Sequence, residues 1–265
     1  MTTIKDKISL KGSGLHTGKE CRITLSPWDR EGIFFLLDGK PVRAEAENVC
    51  DTSRCTMLNL NGHIIQTCEH LLASVYGLGI NSVLIEMEGE EVPIFDGSGK
   101  VWTDVLKDNI TGTAEKPFSI SEPISVTEND AFIKAEPSDS PLEIQYNLDY
   151  THPLIGKSSF LYTRDRFEEY IAPSRTFALF EEVEYLRAKG LAQGGSEENC
   201  IVVFGDRLSS PLRHPDEFAT HKILDLIGDL SLTGKSLNIK ITANKSGHRL
   251  NNLFARKLRK VIENA

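Results

Sequence analysis

The sequence predicts an α+β fold built from two related halves, on three observations. Short β-rich runs precede a helical pattern, and they do so twice along the chain. The order helix, glycine stop, alternating strand occurs in "TCEHLLASVYGLGINSVLIEMEGEE" and again in "FATHKILDLIGDLSLTGKSLNIKITANK". Between them lies "NITGTAEKPFSISEP", where Gly, Thr and Pro cluster. The expected division is therefore a first domain over residues 1–115 and a second over residues 116–265.

Taken in order, "CRITLSPW", "GIFFLL" and "HIIQ" read as strands of the first half. "GSGLHTGKE", from Gly12 to Glu20, imitates a phosphate-cradling loop, but a Walker A motif needs four residues between its first Gly and the GK pair, then Ser or Thr. Gly12 is one position too far, Gly14 one too near, and Glu20 follows Lys19, so the stretch reads as a glycine-rich turn joining two strands. Thr67 is the expected N-cap of a helix that closes near Gly77 or Gly79 and leads into a strand from Asn81 to Glu88. "KVWTDVLKD" is a further helical pattern. In the second half "AFIKAEP", "LEIQYNLDY" and "NCIVVF" read as strands, His221 to Leu232 as the helix stopped at Gly234, and "SLNIKITANK" as the closing strand.

Composition narrows the function. With 265 residues, 40% of them hydrophobic, the chain can build one large core or two smaller ones. A formal net charge of −8 provides no global basic field for nucleic acid or an anionic membrane. Any anionic substrate must be met by local cations or backbone donors. "MTTIKDKISLKGSG" lacks an apolar signal core and nowhere do eighteen apolar residues run together, so the expectation is a cytoplasmic protein without stable membrane insertion. Five cysteines, an odd number with no CxxC pair, speak against a disulfide framework or a four-cysteine zinc site.

The chemistry concentrates on the two repeated helices. His221, Asp225 and Asp229 stand four apart, so they climb one helix face, while Ile223, Leu226, Ile227 and Leu230 gather on the other. Such a row is either a solvated face or the lining of a cleft that uses nitrogen and oxygen ligands. His70, in the first turn of the earlier helix, would complete two imidazoles and a carboxylate, the ligand count of a catalytic zinc site with an open fourth position. Glu69 would then stand within reach of the attacking water as general base, and His248 in "KSGHRLNN" is a second acid or base. Cys68, at a helix start, is a rival nucleophile, though two positions from His70 it points to a different side of the helix.

"GSGLHTGK", "DTSRCTML", "TCEHLLASVYGLGI", "EVPIFDGSG", "DYTHPLIG", "APSRTFALFEEVEYLRAKGLAQGGS", "FATHKILDLIGDL" and "KSGHRLNN", in this order from about residue 8 to 260, resemble the zinc-dependent UDP-3-O-acyl-N-acetylglucosamine deacetylases of lipid A biosynthesis. The resemblance implies two similar α+β domains in a sheet-helix-helix-sheet sandwich, with the active site at their junction. It implies Zn2+ on His70, His221 and Asp225, and Glu69 as catalytic base. By the same likeness His248 is the charged partner or acid, Asp229 orients it, and the Thr176 hydroxyl helps bind the oxyanion. Lys222 and Phe177 match substrate-contacting positions. An acyl passage is implied between about Val183 and Val202, with Ala192, Ser196 and Cys200 among its residues. The implied substrate is UDP-3-O-acyl-N-acetylglucosamine, and the implied state a monomer. A relative that only binds a nucleotide sugar, or a deacetylase of another N-acetyl sugar nucleotide, is the alternative; retention of Glu69 beside an open ligand set disfavours the former.

Overall fold

Alternation decides the strands: in "ECRITLS" Cys21, Ile23 and Leu25 are buried while Glu20 and Arg22 face solvent. The computed structural model describes residues 1–265. Its first half runs β1 (Thr2–Ile4), β2 (Ile8–Ser13), β3 (Glu20–Ser26), β4 (Gly32–Leu37), β5 (Lys40–Arg43), β6 (Val49–Asp51), β7 (Met57–Leu60), β8 (His63–Ile65), α1 (Glu69–Gly77), β9 (Ser82–Glu88), α2 (Lys100–Leu106) and β10 (Ile110–Gly112). The second runs β11 (Ile124–Glu128), β12 (Ala131–Pro137), β13 (Glu143–Asp149), β14 (Lys157–Tyr162), β15 (Phe177–Leu179), α3 (Phe180–Ala188), β16 (Ile201–Val203), α4 (Glu217–Ser231), β17 (Ile239–Asn244) and α5 (His248–Glu263).

Each half contains one five-stranded sheet, and the two sheets share a topology. Their orders are β2-β3-β9-β4-β5 and β11-β12-β17-β13-β14. In both, the strand after the long helix enters the centre, parallel to one neighbour (β4 or β13) and antiparallel to the other. A helical crossover is what a parallel pair requires, so α1 and α4 lie against their own sheets. Leu71, Leu72 and Val75 of α1 join Ile23, Leu25, Phe35 and Ile85 in one core. Ile223, Leu226, Ile227 and Leu230 of α4 join Ile133, Ile144, Tyr146 and Ile241 in the other. Each such side chain, fully buried, stabilises the fold by roughly 1.5 to 3 kcal/mol. The two helices then pack on one another, so the layers are sheet, helix, helix, sheet.

That central contact is close. A Cβ at Gly228 of α4 would lie 2.2 Å from the Glu69 carbonyl oxygen of α1. The terminal helix α5 ties the halves at a second place: Asn252 and Arg256 donate to the Ala46 carbonyl, and Arg259 pairs with Glu45 and Glu47.

Two local expectations are corrected. Thr67 does not cap α1; it takes a φ of +55°, its hydroxyl donates to Glu91 at 2.9 Å, and Cys68 occupies the cap position. The competing partner is distant in sequence, which local capping rules do not see. Helix α4 also begins at Glu217, four residues ahead of His221, because Glu217 in its first turn is held by the buried Arg175. The end of α4 is as read: Gly234 at φ +75° stops the chain just beyond Leu232. The glycine-rich stretch after Gly12 is the turn between the antiparallel β2 and β3.

Candidate active site

The row on α4 is not solvated. His221, Asp225 and Asp229 are 2%, 2% and 1% exposed, because their face meets α1 rather than water. His70, in the first turn of α1, enters from the other side, and its ring stands edge-on to that of His221 with centroids 5.2 Å apart. One ligand atom from each of His70, His221 and Asp225 lies within 4.8 Å of the other two. Asp225 Oδ1 is 3.4 Å from His221 Nε2 and 3.7 Å from His70 Nε2.

The hydrogen bonds around these atoms test whether a cation fits. His221 Nδ1 faces the Ser174 carbonyl at 3.2 Å, so that nitrogen carries the proton and Nε2 keeps its lone pair. Asp225 Oδ2 accepts from Lys222 Nζ at 2.9 Å, whereas Oδ1, equally buried, has no partner. The lone pairs of His221 Nε2 and Asp225 Oδ1 therefore converge, and His70 Nε2 faces the same point while its Nδ1 has no partner. Two imidazoles and one carboxylate suit a borderline divalent metal, and the carbonyl behind His221 is the outer partner that such ligands use.

Glu69 precedes His70 and is also buried. Its Oε2 accepts the Thr56 backbone N–H at 3.1 Å, and its Oε1 lies 3.7 Å from His248 Nε2. Burial raises the pKa of Glu69, while the imidazoles of His248 and His70 pull against that rise. His248 opens α5, with Nδ1 3.0 Å from Asp229 Oδ2 and Nε2 3.9 Å from Asp225 Oδ2. Burial opposes its charge, but the carboxylates of Asp229, Asp225 and Glu69 overcome that and hold the imidazole at about 10. His221 goes the other way: burial, with His70 and Lys222 beside it, brings it down to about 3 despite Asp225. Burial also works against the Asp225 carboxylate, yet His221, Lys222 and His248 hold it well below the usual range. At neutral pH the ensemble offers neutral His221, anionic Asp225 and cationic His248.

A cavity of about 540 Å³ opens from this cluster. Thr176, Phe177, Val183, Ala192, Ser196, Cys200 and Val202 all line it, together with Glu69, His70, His221, Lys222, Asp225 and His248. Its side wall is the β15–α3–β16 segment, where β15 and β16 run parallel and leave apolar side chains facing the opening. Lys222 Nζ pairs with Asp225 and also lies 5.4 Å from the Phe177 ring centroid, so the ion pair leaves it a place at the cavity. Asp229 is not at the cavity wall; it sits behind His248.

Cys68 is excluded as a nucleophile by its surroundings. Fully buried, it points its thiol at the Thr56 carbonyl 3.3 Å away, and burial pushes its pKa well above the usual thiol value. Residues that the sequence does not single out also gather here. Thr56 contacts Glu69, Asp229 and His248, while His16 and Arg54 line the cavity. Arg175, next to Thr176, forms a buried pair with Glu217 at 2.8 Å that fixes the strand entering β15 to the start of α4. Only the "SRTF" and "DEF" runs hint at that pair, and nothing in their spacing joins them.

The UDP-3-O-acyl N-acetylglycosamine deacetylase family model matches residues 1–260. A protein of Oleidesulfovibrio alaskensis named UDP-3-O-acyl-N-acetylglucosamine deacetylase is 41% identical, over 96% of this chain and 87% of its own length. Proteins of the same name from Chlamydia abortus and Helicobacter pylori are 40% and 36% identical, covering 98% and 96% of this chain and 97% and 90% of theirs. With a family match over nearly all of its length and a buried two-histidine, one-carboxylate cluster beside a carboxylate base, the chain belongs to the UDP-3-O-acyl N-acetylglycosamine deacetylase family.

Proposed function

We propose that this protein hydrolyses the N-acetyl amide of UDP-3-O-acyl-N-acetylglucosamine in lipid A biosynthesis, releasing acetate, with Zn2+ held by His70, His221 and Asp225. The observation that carries the metal is the buried Asp225 Oδ1, unpartnered and facing two imidazole nitrogens. A bound divalent ion would acidify water and polarise the acetamide carbonyl there. The chain's own groups supply the rest. Glu69, its carboxyl pKa raised by burial, takes the proton of the attacking water. His248 presents Nε2 on the Glu69 side with its positive charge, and Thr176 its hydroxyl, to the oxygen that becomes negative. Each such donor contributes roughly 3 to 4 kcal/mol in comparable oxyanion sites. Glu69, protonated by then, and charged His248 each hold a proton for the departing amine. Lys222 offers the cavity a cation for the diphosphate, and Phe177, Val183, Ala192, Ser196, Cys200 and Val202 offer the acyl chain a wall.

The same reading takes the chain as two domains divided near residue 115 and as a cytoplasmic monomer; no helix is long and apolar enough to cross a membrane. The deciding experiment is acetate release from a UDP-3-O-acyl-N-acetylglucosamine by purified protein, with and without a zinc chelator, alongside Glu69→Ala. Rate is expected to vanish on chelation, to return with added zinc, and to fall in the variant. Undiminished release after the metal is stripped would refute the proposal.

A further inference from the structure

We infer that Thr56 is a positioning residue for this hydrolysis: it ties the base-bearing start of α1 to the Asp229–His248 pair and fixes which nitrogen of His248 faces the substrate. The inference rests on the deacetylase reading above. Thr56 is fully buried in the short segment between β6 and β7 and touches no part of the cavity. Its backbone N–H donates to Glu69 Oε2 at 3.1 Å, and its carbonyl accepts the Cys68 thiol at 3.3 Å, so the peptide is clamped to the first residues of α1. Its hydroxyl reaches across the domain junction to Asp229 Oδ1 at 2.5 Å and lies 3.2 Å from His248 Nδ1.

A hydroxyl has one proton. Given to the anionic carboxylate of Asp229, it leaves Thr56 Oγ1 with only lone pairs toward His248. Asp229 Oδ2, 3.0 Å from the same nitrogen, is also an acceptor. With two acceptors facing it, His248 Nδ1 must carry a proton in either charge state, so Nε2, beside Glu69 Oε1, is the nitrogen that gives or takes one. Asn251 donates to Asp229 Oδ2 at 2.9 Å, so Asp229 receives three donors and is held in place. Thr56 is the member of this network that also fixes Glu69. One residue, through its backbone N–H on Glu69 and its hydroxyl on the Asp229–His248 pair, thereby sets the separation of the two groups that must share protons with the substrate.

The test is Thr56→Val, which keeps shape and the backbone N–H but removes the hydroxyl, with Thr56→Ala as a smaller second variant and Thr56→Ser as the variant that restores the hydroxyl. Loss of an outer hydrogen-bond partner costs about 10- to 100-fold. We expect kcat to fall by that factor in Thr56→Val and Thr56→Ala with KM and bound metal unchanged, and to recover in Thr56→Ser. In a His248→Ala background, Thr56→Val should cost nothing further. The His248 Nδ1–H proton, assigned as the downfield resonance missing from His248→Ala, should shift in Thr56→Val. Undiminished kcat in both variants, failure of serine to restore it, the same cost with His248 absent, or an unmoved resonance would each overturn the inference. If wild-type protein releases no acetate while the resonance behaves as expected, the proposed function falls and the positioning geometry stands.

Discussion

Gly228→Ala probes whether the site depends on how closely α1 and α4 approach. The added Cβ would lie 2.2 Å from the Glu69 carbonyl oxygen, where ordinary contact begins at 3.4 Å, so the two helices must separate locally by about 1.2 Å. Neither atom is the end of a flexible side chain, so the backbone itself has to yield. Overpacking of this kind costs about 1 to 3 kcal/mol. The better helix propensity of alanine returns about 1 kcal/mol, leaving a net loss of roughly 0 to 2 kcal/mol. The functional cost should be larger, because α1 carries Glu69 and His70 while α4 carries His221 and Asp225. A shift near 1 Å in reacting groups costs on the order of 100-fold in rate. Acetate release, metal retained after dialysis, and urea unfolding should be compared with Gly205→Ala, whose Cβ meets nothing within 4 Å. A Gly228→Ala protein that keeps both its metal and its rate would show that the helix spacing does not set the ligand geometry.

Three other expectations follow from the same structure. Asp225→Asn should abolish metal retention and lower the rate by roughly 100-fold or more, since it removes the one anionic ligand and leaves Lys222 without its partner; metal analysis of dialysed protein checks it. Glu217→Gln should cost about 3 kcal/mol at pH 7 by leaving the buried Arg175 charge without a counter-ion, read as a lowered urea midpoint. Burial alone would raise the Glu217 pKa, but bonds from the Arg175 side chain and from backbone N–H groups hold it below 4.5; its contribution is therefore present above that pH and lost as pH falls through the folded value, so the variant should lose less stability than wild type on acidification. Val202→Phe narrows the cavity wall and should raise KM for long 3-O-acyl chains by about tenfold or more while sparing short ones, as measured across a chain-length series.

The parts of the fold that depend on periodicity were open to reading. The two helices, their glycine stops and the strands that follow them rest on spacings of two, three and four residues, and the equal strand orders of the two sheets agree with a repeat of one supersecondary unit. The boundaries depended on partners elsewhere in the chain. Thr67 has the chemistry of a cap, yet Glu91 offers its hydroxyl a better acceptor while holding the backbone N–H groups of His16 and Thr17 at 2.8 and 2.7 Å. Helix α4 starts early for a similar reason, since Arg175, 42 residues upstream of Glu217, neutralises its first turn.

The candidate site divides along the same line. His221, Asp225 and Asp229 share a helix face, so any reader of the sequence could align them, and the requirement for a second imidazole drew His70 in from the other half. What spacing could not supply was the burial that turns this row from a wet surface into a cleft, because burial comes from Gly228 admitting the backbone of α1. Nor could it reveal Thr56, which is 13 residues from Glu69, 173 from Asp229 and 192 from His248. A residue that acts by holding others has no chemistry of its own to announce it. It becomes visible only where the hydrogen bonds are counted, and there the count forces a direction: one hydroxyl proton, an anionic acceptor on one side, and an imidazole nitrogen left to be the donor on the other.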